Sequence, residues 1–273
     1  PSSRVALSFE SSLLSTFLKG SSFAALPLST KDVDIPYFVQ KKIGNHYLLL
    51  MAEGGSDYNH AVTALTAKSL WGPYVPCTIN PVLTHRHLGK DYPVQSLGHA
   101  DLVQTPTGDW YAVFLGKRIV EGGLVPLGRE TFLCEVSFQN GEPIFNPGIG
   151  VIGNRLKRPL LPWTPVSKTD KQNDFESSAL SPEWATMRIP EQPLHHFADG
   201  NLFLSLRPEM ADSLVCPSML LHRVHSHNFS AITTMTFSTC QANEWAGLVL
   251  YRTAKGYYSL LKGKNEIRLT IDK

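Results

Sequence analysis

Three short runs in this chain gather side chains that can do chemistry, and strand geometry decides which of them can cooperate. In His99-Ala100-Asp101 an imidazole and a carboxylate stand two positions apart. Side chains alternate along a strand, so on a strand both would share a face and Asp101 would be placed to orient His99. Arg129-Glu130 sets opposite charges on neighbours; the same alternation turns Glu130 away from any site that Arg129 enters. His85-Arg86-His87 presents two imidazoles at a spacing that suits a metal, but no third ligand accompanies them, and a loop packed beneath a site is the favoured reading. His195-His196 and His225-Ser226-His227 have less support and read as solvated. Cys77, Cys134, Cys216 and Cys240 form no zinc spacing. Cys216 and Cys240 could pair in an oxidising compartment, with buried free thiols the favoured reading.

These residues need elements to hold them. From Pro36 the chain reads as paired strands: Tyr37 to Lys41, a turn at Ile43-Gly44-Asn45, and His46 to Met51 predict a hairpin. A third strand at about His60 to Thr66 leads into Trp71-Gly72-Pro73-Tyr74, a turn with two aromatics. A second set repeats the pattern with Ala100 to Gln104, a turn at Pro106-Thr107-Gly108, Trp110 to Leu115, and Arg129 to Phe138. Trp110 to Leu115 is apolar on both faces, which predicts a strand covered on both sides. Sheets of three or four strands recurring roughly every 45 to 60 residues suit a β-propeller. After the prolines 159, 162 and 165 and the polar run Lys168-Thr169-Asp170-Lys171-Gln172, the strands continue. Asn201 to Leu206, Trp245 to Tyr251, Tyr257 to Leu261 and Ile267 to Ile271 have the close spacing of a β-sandwich. Phe229, Ala231, Thr233, Met235 and Phe237 alternate with polar neighbours, which predicts a half-buried antiparallel strand.

Composition supports this organisation. At 273 residues the chain has room for two cores, and its 19 Pro and 20 Gly favour short strands over long helices. The expected domains are an atypical, poorly ordered segment 1–33, propeller blades over 34–160, a linker 161–172 and a sandwich over 173–273. With Lys+Arg 25 against Asp+Glu 23, the charge gives no reason to expect nucleic acid or an anionic membrane as partner. No apolar run approaches the roughly 20 residues of a membrane span. Asn228-Phe229-Ser230 is a glycosylation sequon that matters only in a secreted protein, and extracellular and cytoplasmic locations both stay open.

Five runs in order then carry a family resemblance: Ala52-Glu53-Gly54-Gly55, His60-Ala61-Val62-Thr63, Leu83 to Pro93, Gly98-His99-Ala100-Asp101-Leu102-Val103, and Leu127-Gly128-Arg129-Glu130-Thr131-Phe132-Leu133. Together they resemble glycoside hydrolase family 43, in its β-xylosidase and α-L-arabinofuranosidase members. Asn173-Asp174-Phe175, Leu180 to Trp184 and Leu206-Arg207-Pro208-Glu209 look like the concanavalin-like jelly roll that follows the propeller in many of these enzymes. The resemblance covers roughly residues 34–273. It implies an all-β fold, a partial five-bladed propeller followed by that sandwich, with an N-terminal truncation.

The resemblance also implies an activity: inverting hydrolysis of terminal xylose or arabinose from xylo- or arabino-oligosaccharides. One carboxylate would serve as general base, one as general acid, and a third would tune the acid. It places His99 near the propeller axis, where members hold a structural calcium ion or its water shell, and Arg129 in the sugar pocket; no cofactor is required. The general acid normally lies in a Glu-Gly-Pro-His run. Here Asp34-Ile35-Pro36-Tyr37 stands in its place, so Asp34 is the catalytic candidate, one methylene short. The base and the tuning aspartate belong to earlier blades, and this chain is expected to lack the base. A non-catalytic carbohydrate-binding or inactive fragment is the alternative. Trp71, Trp110, Tyr58 and Trp245 could stack on a pyranose ring, with core packing favoured for Trp110.

Overall fold

The computed structural model describes residues 38–165, 173–176 and 179–272; Asp34, the atypical start and most of the expected linker lie outside them. The chain divides into two compact units, Pro1–Trp163 and Thr164–Lys273. Helix among the described residues is limited to single 3-10 turns at Arg86–Leu88 and Glu121–Gly123.

Two four-stranded antiparallel meanders build the first unit. One comprises β1 (Phe38–Ile43), β2 (His46–Glu53), β3 (Ala61–Ala67) and β4 (Val75–Pro76), paired in that order. The other comprises β5 (Val94–Gln104), β6 (Trp110–Arg118), β7 (Glu130–Gln139) and β8 (Glu142–Phe145). The expected hairpin closes at Gly44-Asn45, with Ile43 opposite His46 and Gly44 at φ +57°, which costs glycine little because it has no Cβ.

Leu48-Leu49-Leu50 on β2 interrupts the usual in-out alternation, and the structure gives the reason. Leu48 and Leu50 join Val62, Ala64, Leu97, Leu102, Ala112, Phe114 and Cys134 in one core between the two sheets. Leu49 points the other way, into a second cluster with Leu65, Ala67 and Tyr74. A strand buried on both faces must be apolar on both. Consecutive meanders packed face to face are the arrangement of neighbouring propeller blades.

The second sheet differs from the sequence expectation on one side. Tyr111, Ala112 and Phe114 are buried, yet Val113 is 38% exposed, so β6 is not fully covered on both faces. Among the described residues, the core between the sheets covers only the face bearing Ala112 and Phe114. Trp110 packs against that core, edge-on to Phe138, as core packing requires.

In the second unit, β9 (Trp184–Thr186) pairs with β12 (Leu220–His222), β10 (His195–Ala198) with β11 (Asn201–Leu204), and β13 (Ala246–Thr253), β14 (Gly256–Lys262) and β15 (Ile267–Asp272) form a meander. The strand expected over 229–237 does not form: residues 228–239 have no ladder partner among the described residues, and Phe229 is 52% exposed. Alternation fixes which side chains share a face, but a strand also needs a neighbour to take its backbone hydrogen bonds. His196 is not simply solvated either, since its ring stacks on Phe203 at 4.8 Å.

The inter-sheet core sets the stability of the first unit. Phe114 is 2% exposed and stacks on Phe132 at 6.0 Å. Phe114→Ala is expected to cost about 3–5 kcal/mol, whereas the exposed Val113→Thr should cost about 0.5 kcal/mol or less; urea unfolding of both variants checks the contrast.

Candidate functional site

The site begins with a tight loop between β2 and β3. At Gly54, φ +73°, a Cβ would come within 2.1 Å of the Asn59 carbonyl oxygen, so only glycine lets the loop close there. Its far end is tied by Arg86, whose Nη1 donates to Glu53 Oε1 at 3.2 Å, and by the Tyr58 hydroxyl, which donates to the Arg86 carbonyl at 2.6 Å. Thr84 Oγ1 donates to the His60 carbonyl at 3.1 Å. His60, at the end of the loop, is thereby buried to 4% exposure, with Nδ1 3.1 Å from the Glu53 carbonyl oxygen.

The second half of the site is an irregular stretch of β5. The pairing of β5 with β6 shifts register between Gln95 and Gly98 and again between Gly98 and Asp101. Ser96 and His99 both sit at positive φ, 57° and 56°. Bulges re-aim side chains, and non-glycine residues held in this region mark functional sites more often than ordinary strand. Between them Gly98 makes an equally close approach: a Cβ there would lie 2.1 Å from both Cδ2 and Nε2 of His60. His99 is exposed between buried neighbours and lines an open depression with Asp101, Val113, Leu115 and Thr131.

Electrostatics bring Arg129 into this group. Burial first, then the Arg129 charge, holds the His99 imidazole below its ordinary pKa. Burial is also the main cause of the lowered pKa of His60; the Glu53 and Gly55 carbonyls oppose it, and His99 and Arg129 add to it. Arg129 therefore lies close enough for its charge to act on both rings.

The expected partner of His99 is engaged elsewhere. Asp101 pairs with Lys41 Nζ at 3.4 Å and accepts the Leu102 amide at 2.7 Å. Glu130 meets Arg118, whose Nε donates to its two oxygens at 2.9 and 3.1 Å. Glu53 pairs with Arg86, and Asp57 with Lys117 at 3.0 Å. Glu53, Asp57, Asp101 and Glu130 thus each have a cation partner.

His85 and His87 do not form a metal pair. His85 is 1% exposed; its Nδ1 donates to the Val94 carbonyl at 2.6 Å, and its Nε2 accepts the Ile152 amide at 3.0 Å. Both ring nitrogens are used in fastening a loop to β5 and to the segment after β8. His87, by contrast, is exposed. The aromatic candidates are also largely committed: Lys90 lies over Tyr58 at 5.7 Å, and the Arg268 guanidinium covers Trp245 at 4.3 Å. Trp71 is 72% exposed.

Sequence reasoning quoted His60 only as part of a run and assigned it no role. The available signal was a histidine directly after a Gly-Gly loop at the entrance to a strand.

Comparison with known proteins gives this geometry a context. The family model described as glycosyl hydrolases family 43 matches residues 29–143, and that of the beta xylosidase C-terminal concanavalin A-like domain matches residues 172–271. A xylosidase/arabinosidase of Butyrivibrio fibrisolvens is 36% identical over 92% of this chain and 50% of its own length. A non-reducing end alpha-L-arabinofuranosidase of Bacteroides ovatus is 34% identical over 90% of this chain and 46% of its own. Among solved structures, the xyloglucan-locus GH43B protein of Bacteroides ovatus is similar at TM-score 0.72 and 33% identity, covering 86% of this chain and 47% of that one. The chain spans about half the length of the curated relatives it matches.

The buried imidazole of His85 makes stability pH-dependent. Burial lowers its pKa in the folded chain, so below about pH 6.5 the unfolded chain binds more protons than the folded one. This contribution is complete above that pH and is lost as acid is added. Urea midpoints should fall between pH 7 and pH 5, less steeply in His85→Phe. At pH 7 that variant should be destabilised by about 2–5 kcal/mol, because it orphans the Val94 carbonyl and the Ile152 amide.

Proposed function

From the premise that the chain belongs to glycoside hydrolase family 43, we infer that it forms part of an exo-acting glycosidase that releases terminal xylose or arabinose from xylan-derived oligosaccharides. Its first unit is propeller-like, and its second is the concanavalin A-like domain that accompanies this family. What supports the reading is that His99 lines an open depression at the bulged segment of β5 and feels the charge of Arg129. A guanidinium has five N–H donors and no acceptor, which suits a neutral sugar with several hydroxyl oxygens.

The chemistry assigned to such a site is inversion at the anomeric carbon. A protonated carboxyl gives its proton to the leaving glycosidic oxygen while a carboxylate on the opposite face takes a proton from water. The water oxygen then bonds to the anomeric carbon as the old bond breaks, with the two carboxyls about 6.5–9.5 Å apart. Within this chain Arg129 and His99 are assigned the sugar, and Asp34 is assigned the role of acid from its sequence position alone. Its side chain is a methylene shorter than glutamate, and a misplacement of about 1 Å can cost roughly a hundredfold in rate. Glu53, Asp57, Asp101 and Glu130 are engaged in ion pairs and are not assigned the role of base. A structural calcium ion fits these side chains poorly: calcium takes six to eight oxygen ligands, whereas the polar side chains lining the depression are one imidazole, His99, the lysine-paired carboxylate of Asp101 and the hydroxyl of Thr131. No step is routed through it.

The pairing of those four carboxylates favours a second reading, glycan binding without turnover by this chain. Both readings place a sugar at Arg129. The 273-residue chain should bind xylose or arabinose in calorimetric titration, and Arg129→Ala should weaken binding roughly ten- to a hundredfold. Hydrolysis of aryl xylosides and arabinofuranosides by this chain should not exceed the buffer rate; turnover that Arg129→Ala abolishes would contradict that expectation. Binding unaffected by Arg129→Ala would remove the hollow from either reading.

A further inference from the structure

The meander β13–β15 of the second unit wears its apolar side outward. Its pairing sets Leu248, Leu260 and Leu269 in one row and Leu250, Tyr258 and Ile271 in the next. Side chains alternate along each strand, so these six share a face, and all are exposed. The opposite face is the covered one: in the row Val249, Ser259 and Thr270, Ser259 is 4% exposed and its two neighbours are half-buried. An antiparallel sheet with one face in water normally turns its polar side there. Here the order is reversed, with leucines and isoleucines outside and a serine and a threonine inside.

The bare face is also nearly free of charge. Its third row is Ala246, Lys262 and Ile267, and the Lys262 ammonium donates to the Phe237 carbonyl at 2.9 Å. Exposure runs from 37% at Leu248 to 72% at Ile267. At roughly 150–200 Å² for each large side chain, the apolar residues of the three rows present about 600–750 Å² to water. Monomeric proteins rarely leave a contiguous apolar patch of that size uncovered.

We propose that this face is the docking surface for a second copy of the chain, the two β13–β15 sheets packing face to face about a two-fold axis. A two-fold contact brings one patch against itself, so it must be complementary to itself. A charged face would repel its mate, whereas an apolar one whose lysine is already engaged does not. Two such faces would bury about 1,200–1,500 Å², within the range of stable protein interfaces. The pairing supplies across the axis the second layer of a sandwich, at the spacing of about 10 Å at which sheets stack, on a side where this sheet has none among the described residues. A glycan suits the face poorly, since leucine and isoleucine side chains offer its hydroxyls no hydrogen-bonding partner.

Sedimentation velocity of the full chain over about 1 to 100 µM tests the proposal, with a dimer expected across the upper part of that range. Leu260→Asp puts a carboxylate at the middle of the face, where the dimer would strip it of water, and should raise the dimer dissociation constant roughly a hundredfold or more. Leu269→Lys on the last strand should act in the same direction, and Leu269→Met should leave the dimer in place. Both charged variants alter exposed side chains, so the monomer should keep its fold, which far-UV circular dichroism checks. Ile189→Asp, at an exposed apolar residue outside this sheet, should leave association unchanged. A monomer at the top of the range, or a dimer that survives both charged variants, would overturn the assignment. So would growth past the dimer into species of no fixed size, because that behaviour marks a face that takes any apolar surface and not a second copy in one register.

Discussion

A four-stranded meander that is apolar on both faces cannot stand alone in water, and the contact that answers this constraint also builds the site. Leu48, Leu50, Val62 and Ala64 on one sheet and Leu97, Leu102, Ala112 and Phe114 on the other form one core. Fully burying each such large apolar side chain is worth about 1.5–3 kcal/mol, so the facing of the two sheets is firmly held. Their ends are then held as well. His60 enters from the start of β3 and His99 from the middle of β5, and the distance between those points is fixed by the packing of this core.

Within that frame, two glycines allow backbone and ring to come closer than any other residue would permit. Gly54 lets the β2–β3 loop return onto its own carbonyl, which delivers His60, and Gly98 leaves room for the delivered ring. The register shifts on either side of Gly98 are the cost of this approach: β5 gives up regular pairing where the His60 ring presses against it, and His99 is turned outward in the process. Pairing at the surface completes the arrangement, since Lys41–Asp101 and Lys117–Asp57 each join an element of one sheet to an element of the other.

Much of this was legible in the sequence, because the strands of the first unit carry their own punctuation. The Gly44-Asn45 turn lies between two runs of the right length, and the five ordered runs identified the family, which the family models match. Alternation set Arg129 and Glu130 against each other, and Glu130 pairs with Arg118. What alternation could not show is where it breaks. Two register shifts between Gln95 and Asp101 interrupt the pairing of β5, and Asp101 pairs with Lys41. The same rule drew a strand over 229–237, because periodicity describes one chain and a ladder needs two.

The charge of Arg129 constrains the missing part of the chemistry. A guanidinium within about 4–6 Å of a carboxyl stabilises the ionised form and lowers its pKa. That suits a group meant to take a proton from water and works against one meant to hold a proton until the glycosidic bond breaks. The same charge, with burial, lowers the pKa of His60 and His99, so a proton is harder to add to either ring than to a free imidazole.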